Sequence, residues 1–136
     1  MSKPKLPNKA DFKFYIELDT RWADMDCIGH INNATFLTYV ESARIKLIQK
    51  LGFLNVPIIM ASIKIDYLNQ LSFPSTMEIG QKISRIGNSS FDILTGIFKL
   101  DDDKLITLST TTLVCFDYKT QKSIPVPDEI RNNKLD

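Results

Sequence analysis

The stretch Arg21–Gly52, RWADMDCIGHINNATFLTYVESARIKLIQKLG, decides how the rest of the chain must be arranged. In its second half Phe36, Leu37, Val40, Ala43, Leu47, Ile48 and Leu51 recur at intervals of three and four, which places them on one broad face of a helix. That face is wide enough for burial on more than one side. Asn32 stands where a side-chain oxygen can cap the first turn, and Gly52 where a left-handed residue can follow the last. The loop feeding the helix carries the one histidine of the chain, His30, two aspartates, Asp24 and Asp26, and a turn glycine, Gly29. The densest set of reactive groups therefore precedes the positive end of a helix, where unpaired N–H groups point outward.

Upstream, Phe12 to Thr20 alternates, with Phe12, Phe14, Ile16 and Leu18 on one side and Lys13, Tyr15, Glu17 and Asp19 on the other, the pattern of a half-buried strand. Downstream, strand patterns run from Met60 to Leu68, from Met77 towards Arg85, from Ser90 to Leu100 and from Lys104 to Asp117. Turn residues at Ser72–Ser75, Gly87-Asn88 and Asp101–Asp103 separate them. One strand, a long helix and four further strands joined by short turns predict an α+β fold, with an antiparallel meander around one buried helix. The last two strands have apolar residues on both faces: Phe91, Ile93 and Ile97 oppose Leu94, Phe98 and Leu100, and Leu105, Leu113 and Cys115 oppose Ile106, Leu108, Val114 and Phe116. With no second long helix to cover the outer face, a second copy of the chain is the expected cover.

The 136 residues predict a single domain, with residues 1–10 a loose lead-in and residues 124–136 a short charged tail containing one helical turn. Hydrophobic content of 43% and charged content of 24% are those of a soluble globular protein. A net charge of +1 without a basic face argues against nucleic acid or a membrane surface as partner. No apolar run reaches the ~20 residues of a spanning helix, and the first ten residues lack the apolar core of a secretory signal. Cys27 and Cys115 lie far apart and outside any CxxC spacing, which predicts reduced thiols in a cytoplasmic protein.

Several chemistries compete for the loop. Asp24-x-Asp26-x-x-Gly29 starts like a calcium loop, but Ile28 stands where an oxygen ligand is required and Thr35 where a bidentate Glu is. A transition metal would need more ligands than one histidine and two aspartates supply, unless subunits shared a site. Cys27 could act as a nucleophile only with His30 as its base. A carboxylate facing a carbonyl, with helix N–H groups where negative oxygen develops, fits the loop's place before the helix. Caps and turns alone account for Asp, Asn and Gly here equally well, and a lone histidine is often structural. Spacing by itself leaves these alternatives open.

Arg21-x-x-Asp24-x-Asp26-x-x-Gly29-His30-x-Asn32-Asn33, followed by Phe36, Tyr39, Glu41 and Arg44, resembles the signature of hotdog-fold thioesterases. It is most similar to the acyl-CoA thioesterases related to 4-hydroxybenzoyl-CoA thioesterase. The resemblance extends to the order of elements and to the hairpin Arg85-Ile86-Gly87-Asn88-Ser89-Ser90-Phe91, and so covers nearly the whole chain. It implies an antiparallel sheet wrapped around the long helix, and a homodimer or homotetramer in which two sheets join edge to edge. It further implies hydrolysis of an acyl-CoA substrate without metal or cofactor. The catalytic carboxylate of that branch falls on Asp26, and the backbone N–H that polarises the thioester falls on Asn33. Plant acyl-carrier-protein thioesterases resemble the loop too: their catalytic Asp and His fall on Asp26 and His30, but their catalytic Asn falls on Ile28, so that carboxamide is missing. Asp24 is expected to be structural, pairing with Arg21 or bracing the loop. Arg85, Ser89 and Ser90 are the expected contacts for coenzyme A, as polar groups on a hairpin rim. A carrier-protein thioesterase, a non-catalytic acyl-CoA-binding module and a hotdog dehydratase are the alternatives.

Overall fold

The computed structural model describes residues 5–132; residues 1–4 of the lead-in and 133–136 of the tail lie outside them. The helix forms where the periodicity puts it. α1 (Asn33–Leu51) begins at Asn32, whose side chain accepts a hydrogen bond from the Ala34 N–H at 2.8 Å, a cap worth about 1 kcal/mol. It ends at Gly52, whose φ of 81° lets its N–H reach back to Ile48 and Gln49. Phe36, Tyr39, Val40, Ala43 and Leu47 are buried, but Leu37 is 41% exposed, so the apolar face is narrower than the sequence pattern implied.

Around α1 curls an antiparallel sheet: β1 (Phe14–Asp19), β2 (Ile58–Tyr67), β3 (Thr76–Ile86), β4 (Ser90–Lys99) and β5 (Leu105–Asp117), with a short β6 (Lys122–Ser123) paired to the end of β5. The expected meander holds only for β3, β4 and β5. The spatial order is β1-β3-β4-β5-β2, so β2 pairs with β5 at one edge and β1 with β3 at the other. The chain therefore crosses the end of the sheet between β2 and β3, passing the start of α1, where Leu71 accepts a hydrogen bond from the Ile31 N–H at 2.7 Å.

Each fully buried large aliphatic side chain contributes about 1.5–3 kcal/mol, so the helix-facing side of the sheet is the main source of cohesion. Leu47, Phe53, Ile83, Phe91, Ile93, Leu113 and Cys115 pack at one end of it, and Phe36, Val40, Met77, Ile79, Ile97 and Ile106 at the other. Ile106 joins this side, contrary to simple alternation, because a bulge between Ile97 and Phe98 shifts the register with β5.

The outer face is covered in part by the chain itself. Phe12, expected beside Phe14, instead packs over the outside, with its ring 6.1 Å from that of Phe98 and 6.2 Å from that of Tyr15. Gly80 and Gly96 make room for it, since a Cβ at Gly80 would fall 2.8 Å from the Phe12 ring. The lead-in is fixed from Asn8 onward: Asn8 caps a 3-10 turn at Lys9–Asp11, and Lys9 pairs with Glu78 and Asp103. The tail also packs. α2 (Asp128–Arg131) buries Ile130, and Arg131 donates to the carbonyls of Gly87 and Asn88.

Between the two apolar ends, the inner face carries a buried polar band of Gln81, Thr95, Thr107, Ser109 and Thr111. Gln81 donates to Thr95 Oγ1 at 2.8 Å, whereas the hydroxyls of Thr107, Ser109 and Thr111 have no partner among the described residues. An unpaired buried hydroxyl costs about 1–3 kcal/mol. Thr111→Val, which replaces the hydroxyl by a methyl of similar volume, is therefore expected to stabilise the fold by about 1 kcal/mol in urea unfolding. A loss of stability of that size would show that internal water satisfies the band.

Candidate active site at the start of the long helix

β1 ends at Asp19, and the chain enters the loop through a 3-10 turn at Trp22–Asp24. Asp24 is only 4% exposed, and its carboxylate is fully engaged. Arg21 donates to Oδ1 from Nε at 3.1 Å and from Nη2 at 2.7 Å, and its backbone N–H donates to Oδ2 at 3.2 Å. The Tyr39 hydroxyl, on the second turn of α1, donates to Oδ2 at 2.6 Å. The Asp24 carbonyl accepts from the N–H of the capping residue Asn32 at 2.9 Å. One aspartate thus joins the loop, the helix start and the second helical turn. The Arg21 guanidinium holds its carboxyl below the ordinary carboxylate range, assisted by the Tyr39 hydroxyl and opposed by burial.

Asp26 is held differently. Its N–H donates to the His30 carbonyl at 2.7 Å, closing a small loop whose turn needs the positive φ of Gly29, 93°. One carboxylate oxygen, Oδ1, accepts from the N–H groups of Ile28 at 2.9 Å and His30 at 3.3 Å. The other, Oδ2, has no hydrogen bond of normal geometry among the described residues, although the Gly29 N–H also lies close enough to favour the carboxylate's charge. These backbone N–H groups, that of His30 first, lower the Asp26 pKa from its ordinary value, so at neutral pH the group is an anion. It is half-exposed and able to act as base or nucleophile, not as acid.

Asp26, His30 and Asn33 line one cavity of about 310 Å³. The Asn33 N–H, in the first turn of α1, has no acceptor among the described residues and belongs to the helix end that carries roughly half a positive charge. The opposite wall is the β2–β3 crossover, with Tyr67, Leu68, Asn69, Gln70 and Leu71. Tyr67 closes β2, as the strand pattern from Met60 to Leu68 predicts, but its alternation carries no sign that Tyr67 and the four residues after it line a cavity. The Tyr67 hydroxyl donates to the Asn33 carbonyl at 2.9 Å, and the Asn69 side chain donates to the Leu105 carbonyl at 2.7 Å, which fix the crossover against helix and sheet.

Other expectations separate from this centre. Ile28, at the position of the plant carboxamide, is 76% exposed, and Cys27 is exposed with no hydrogen bond to His30. Neither aspartate is arranged as a calcium ligand, because one is spent on Arg21 and Tyr39 and the other turns back onto its own loop. Among the described residues no cluster of three or more His, Cys, Asp or Glu side chains could hold a metal. Within one chain Arg85, Ser89 and Ser90 lie at the far end of the sheet. The cavity end of β3 is Thr76, paired with Asp19, and Arg85 is nine residues, roughly 30 Å, further along. The Arg85 guanidinium there faces Asp92 at 2.9 and 3.1 Å and the Ser90 hydroxyl at 3.0 Å.

The Asp24 network makes a pH-dependent contribution to stability. A carboxyl whose folded pKa is depressed stabilises the fold above its ordinary value of 3.8, and that contribution is lost as pH falls through the folded value. Asp24→Asn is expected to cost about 1.5–3 kcal/mol at neutral pH and to flatten the fall of melting temperature below pH 4, measured by thermal unfolding between pH 2.5 and 7.

Comparison with known proteins agrees with this geometry. A family described as the thioesterase-like superfamily matches residues 20–133. The long-chain acyl-CoA thioesterase FadM of Escherichia coli is 25% identical over 122 residues, 85% of this chain and 92% of that one. The uncharacterized protein YsmA of Bacillus subtilis is 32% identical over 89 residues, 62% of this chain and 60% of its own length. The structure of a thioesterase from Thermus thermophilus, complexed with coenzyme A and Zn, superposes with a TM-score of 0.80 at 26% identity, over 89% of this chain and 96% of that one. With one long helix held in a curled antiparallel sheet, and the loop motif at its start, the chain belongs to the thioesterase-like superfamily and has the hotdog fold.

Proposed function

We propose that this protein hydrolyses acyl-CoA thioesters in the cytoplasm, with the Asp26 carboxylate as nucleophile or general base and the Asn33 N–H polarising the thioester carbonyl. One observation carries this reading: a carboxylate with one oxygen tied down and the other unengaged shares a cavity wall with an unpaired N–H at a helix start. The coenzyme A bound to the Thermus thermophilus thioesterase and the long-chain acyl-CoA activity of the Escherichia coli relative support the substrate class.

In the nucleophilic route, Asp26 Oδ2 attacks the carbonyl carbon and the C–S bond breaks. Coenzyme A leaves as thiolate and takes up a proton, and water then cleaves the mixed anhydride to free acid and Asp26. In the general-base route, Asp26 accepts a proton from the water that attacks the carbonyl carbon, the C–S bond breaks, and the proton passes to the leaving thiolate. In both, negative charge grows on the carbonyl oxygen, where the Asn33 N–H and the helix dipole stabilise it. His30, on the same wall, is placed to contact the thioester or to orient Asp26.

The substrate reading implies a dimer. β2 is an unpaired edge, and two copies joined edge to edge about a two-fold axis would bring the hairpin end of one sheet beside the cavity end of the other. Arg85, Ser89 and Ser90 of one protomer would then stand near the partner's cavity, at a distance suited to the coenzyme A moiety. Removing the charge of Arg85 is expected to raise KM for acyl-CoA while leaving kcat nearly unchanged.

The test is a thiol-release screen over short, long and aryl acyl-CoAs. Asp26→Asn is expected to lower kcat by about 10²–10⁴ without loss of fold, far more than a folded Asp24→Asn does. An Asp24→Asn protein that folds and is equally inactive would contradict the assignment. Asn33→Pro removes the donor at a position that tolerates proline, and should reduce kcat by about 10²–10³, or roughly 2.7–4 kcal/mol, while Asn33→Ala keeps most activity. Equal, mild effects from both would place carbonyl activation elsewhere. Acyl-CoA binding without turnover of any ester would make the protein a binding module.

A further inference from the structure

Arg44 is out of place for a surface cation. Its side chain is only 14% exposed, yet its nearest carboxylate oxygen, on Glu41 one turn earlier, is 3.4 Å away and belongs to a side chain 60% exposed. Its Nη1 also faces the Met60 sulfur, at 4.0 Å. A guanidinium has five N–H donors, and one this buried needs acceptors of better geometry.

The surroundings indicate where these acceptors come from. Arg44 and Glu41 lie with Leu37, Thr38, Met60 and Ile63 in a groove of about 140 Å³ between α1 and the unpaired edge of β2. Met60 and Ile63 belong to the middle of that edge strand, the part that a two-fold axis relating two β2 strands would pass. Leu37 and Ile45, on the same stripe of α1, remain 41% and 49% exposed. The groove offers one cation and one anion, so a two-fold axis passing between them sets each opposite its complement; a surface of one sign could not pair with itself. In an isologous interface, residue i of one copy meets residue j of the other, and the reverse.

We propose that this groove is filled by a second copy of the chain, and that Arg44 of each copy pairs with the partner's Glu41 across the two-fold axis. This deepens the edge-to-edge dimer proposed above, and rests on it, by naming the charges that lock it and fix its register. The pairs would exclude other strands from the β2 edge, because an unrelated edge would leave both Arg44 side chains buried and unpaired.

The experiment is a charge swap read by sedimentation equilibrium. Wild type is expected to be a dimer. Arg44→Glu gives a groove with two anions, and Glu41→Arg one with two cations, so each variant alone is expected to dissociate with a constant at least about 30-fold higher. Mixing the two folded variants is expected to restore the dimer as a heterodimer, since each chain then meets opposite charges. Variants that dimerise alone as tightly as wild type, or a mixture that stays monomeric, would overturn the proposal. If Arg44→Glu does not fold, the salt dependence of wild type serves instead. Its dissociation constant should rise between 0.05 and 0.5 M NaCl, and the combined Arg44→Met, Glu41→Gln protein should lose that dependence; equal salt slopes would overturn the pairing. Thiol release followed in parallel keeps the two readings apart. An inactive wild-type dimer that responds to the swap would support the pairing while removing the enzymatic assignment. An active wild-type monomer would remove the pairing alone.

Discussion

The buried carboxylate of Asp24 is the constraint on which the site depends. A charge taken out of water must be paired and hydrogen-bonded, or it costs several kcal/mol. Asp24 meets that demand by binding Arg21 from its own loop and Tyr39 from the second turn of α1, while its carbonyl holds the N–H of the helix cap. These bonds leave the loop little choice of position relative to the helix. Asp26 is two residues beyond this anchor, and Asn33 follows the cap that the anchor holds. The relative placement of carboxylate and N–H thus depends on the Asp24 network. Such bracing fixes the geometry of the loop as well as the stability of the fold.

The division of labour between the two aspartates follows from their surroundings. Both are held ionised, but for different reasons: Asp24 by a guanidinium, Asp26 by backbone N–H groups of its own turn. Pairing with a cation and a phenol consumes all the acceptor capacity of Asp24. The N–H groups of Ile28 and His30 are both bonded to one oxygen of Asp26, a residue that lines the cavity. Two identical side chains two residues apart thereby differ in what they can do: Asp24 is spent on bracing the loop, and Asp26 keeps the capacity that the proposed mechanism requires.

Local features were legible in the sequence and non-local ones were not. The helix, its Asn32 cap and its Gly52 terminus follow from side-chain spacing and φ preference, and they stand where those rules put them. Asp26, His30 and Asn33 come together because one short loop and one helix start contain all three. The strand order was not legible. Nothing in the alternation of β2 reveals that it joins β5 at the edge and not β3, because pairing depends on how the sheet curls around α1. The crossover wall of Tyr67 to Leu71 is a consequence of that order and stayed hidden with it. Phe12 and Ile106 were misplaced for related reasons. A 3-10 turn precedes the strand in one case and a bulge intervenes in the other, and both break the two-residue period. The neutralisation of Arg85 by Asp92 required a hairpin register that the turn residues alone do not give.

The central claim, that carboxylate and helix N–H act on one carbonyl, is tested most directly by a crystal structure with an acyl-CoA analogue whose thioester sulfur is replaced by a methylene group. The account predicts the ketone oxygen within about 3 Å of the Asn33 nitrogen and the carbonyl carbon about 3–3.5 Å from Asp26 Oδ2. A carbonyl turned away from the helix start, with Asp26 in contact only with solvent or with the pantetheine arm, would contradict it.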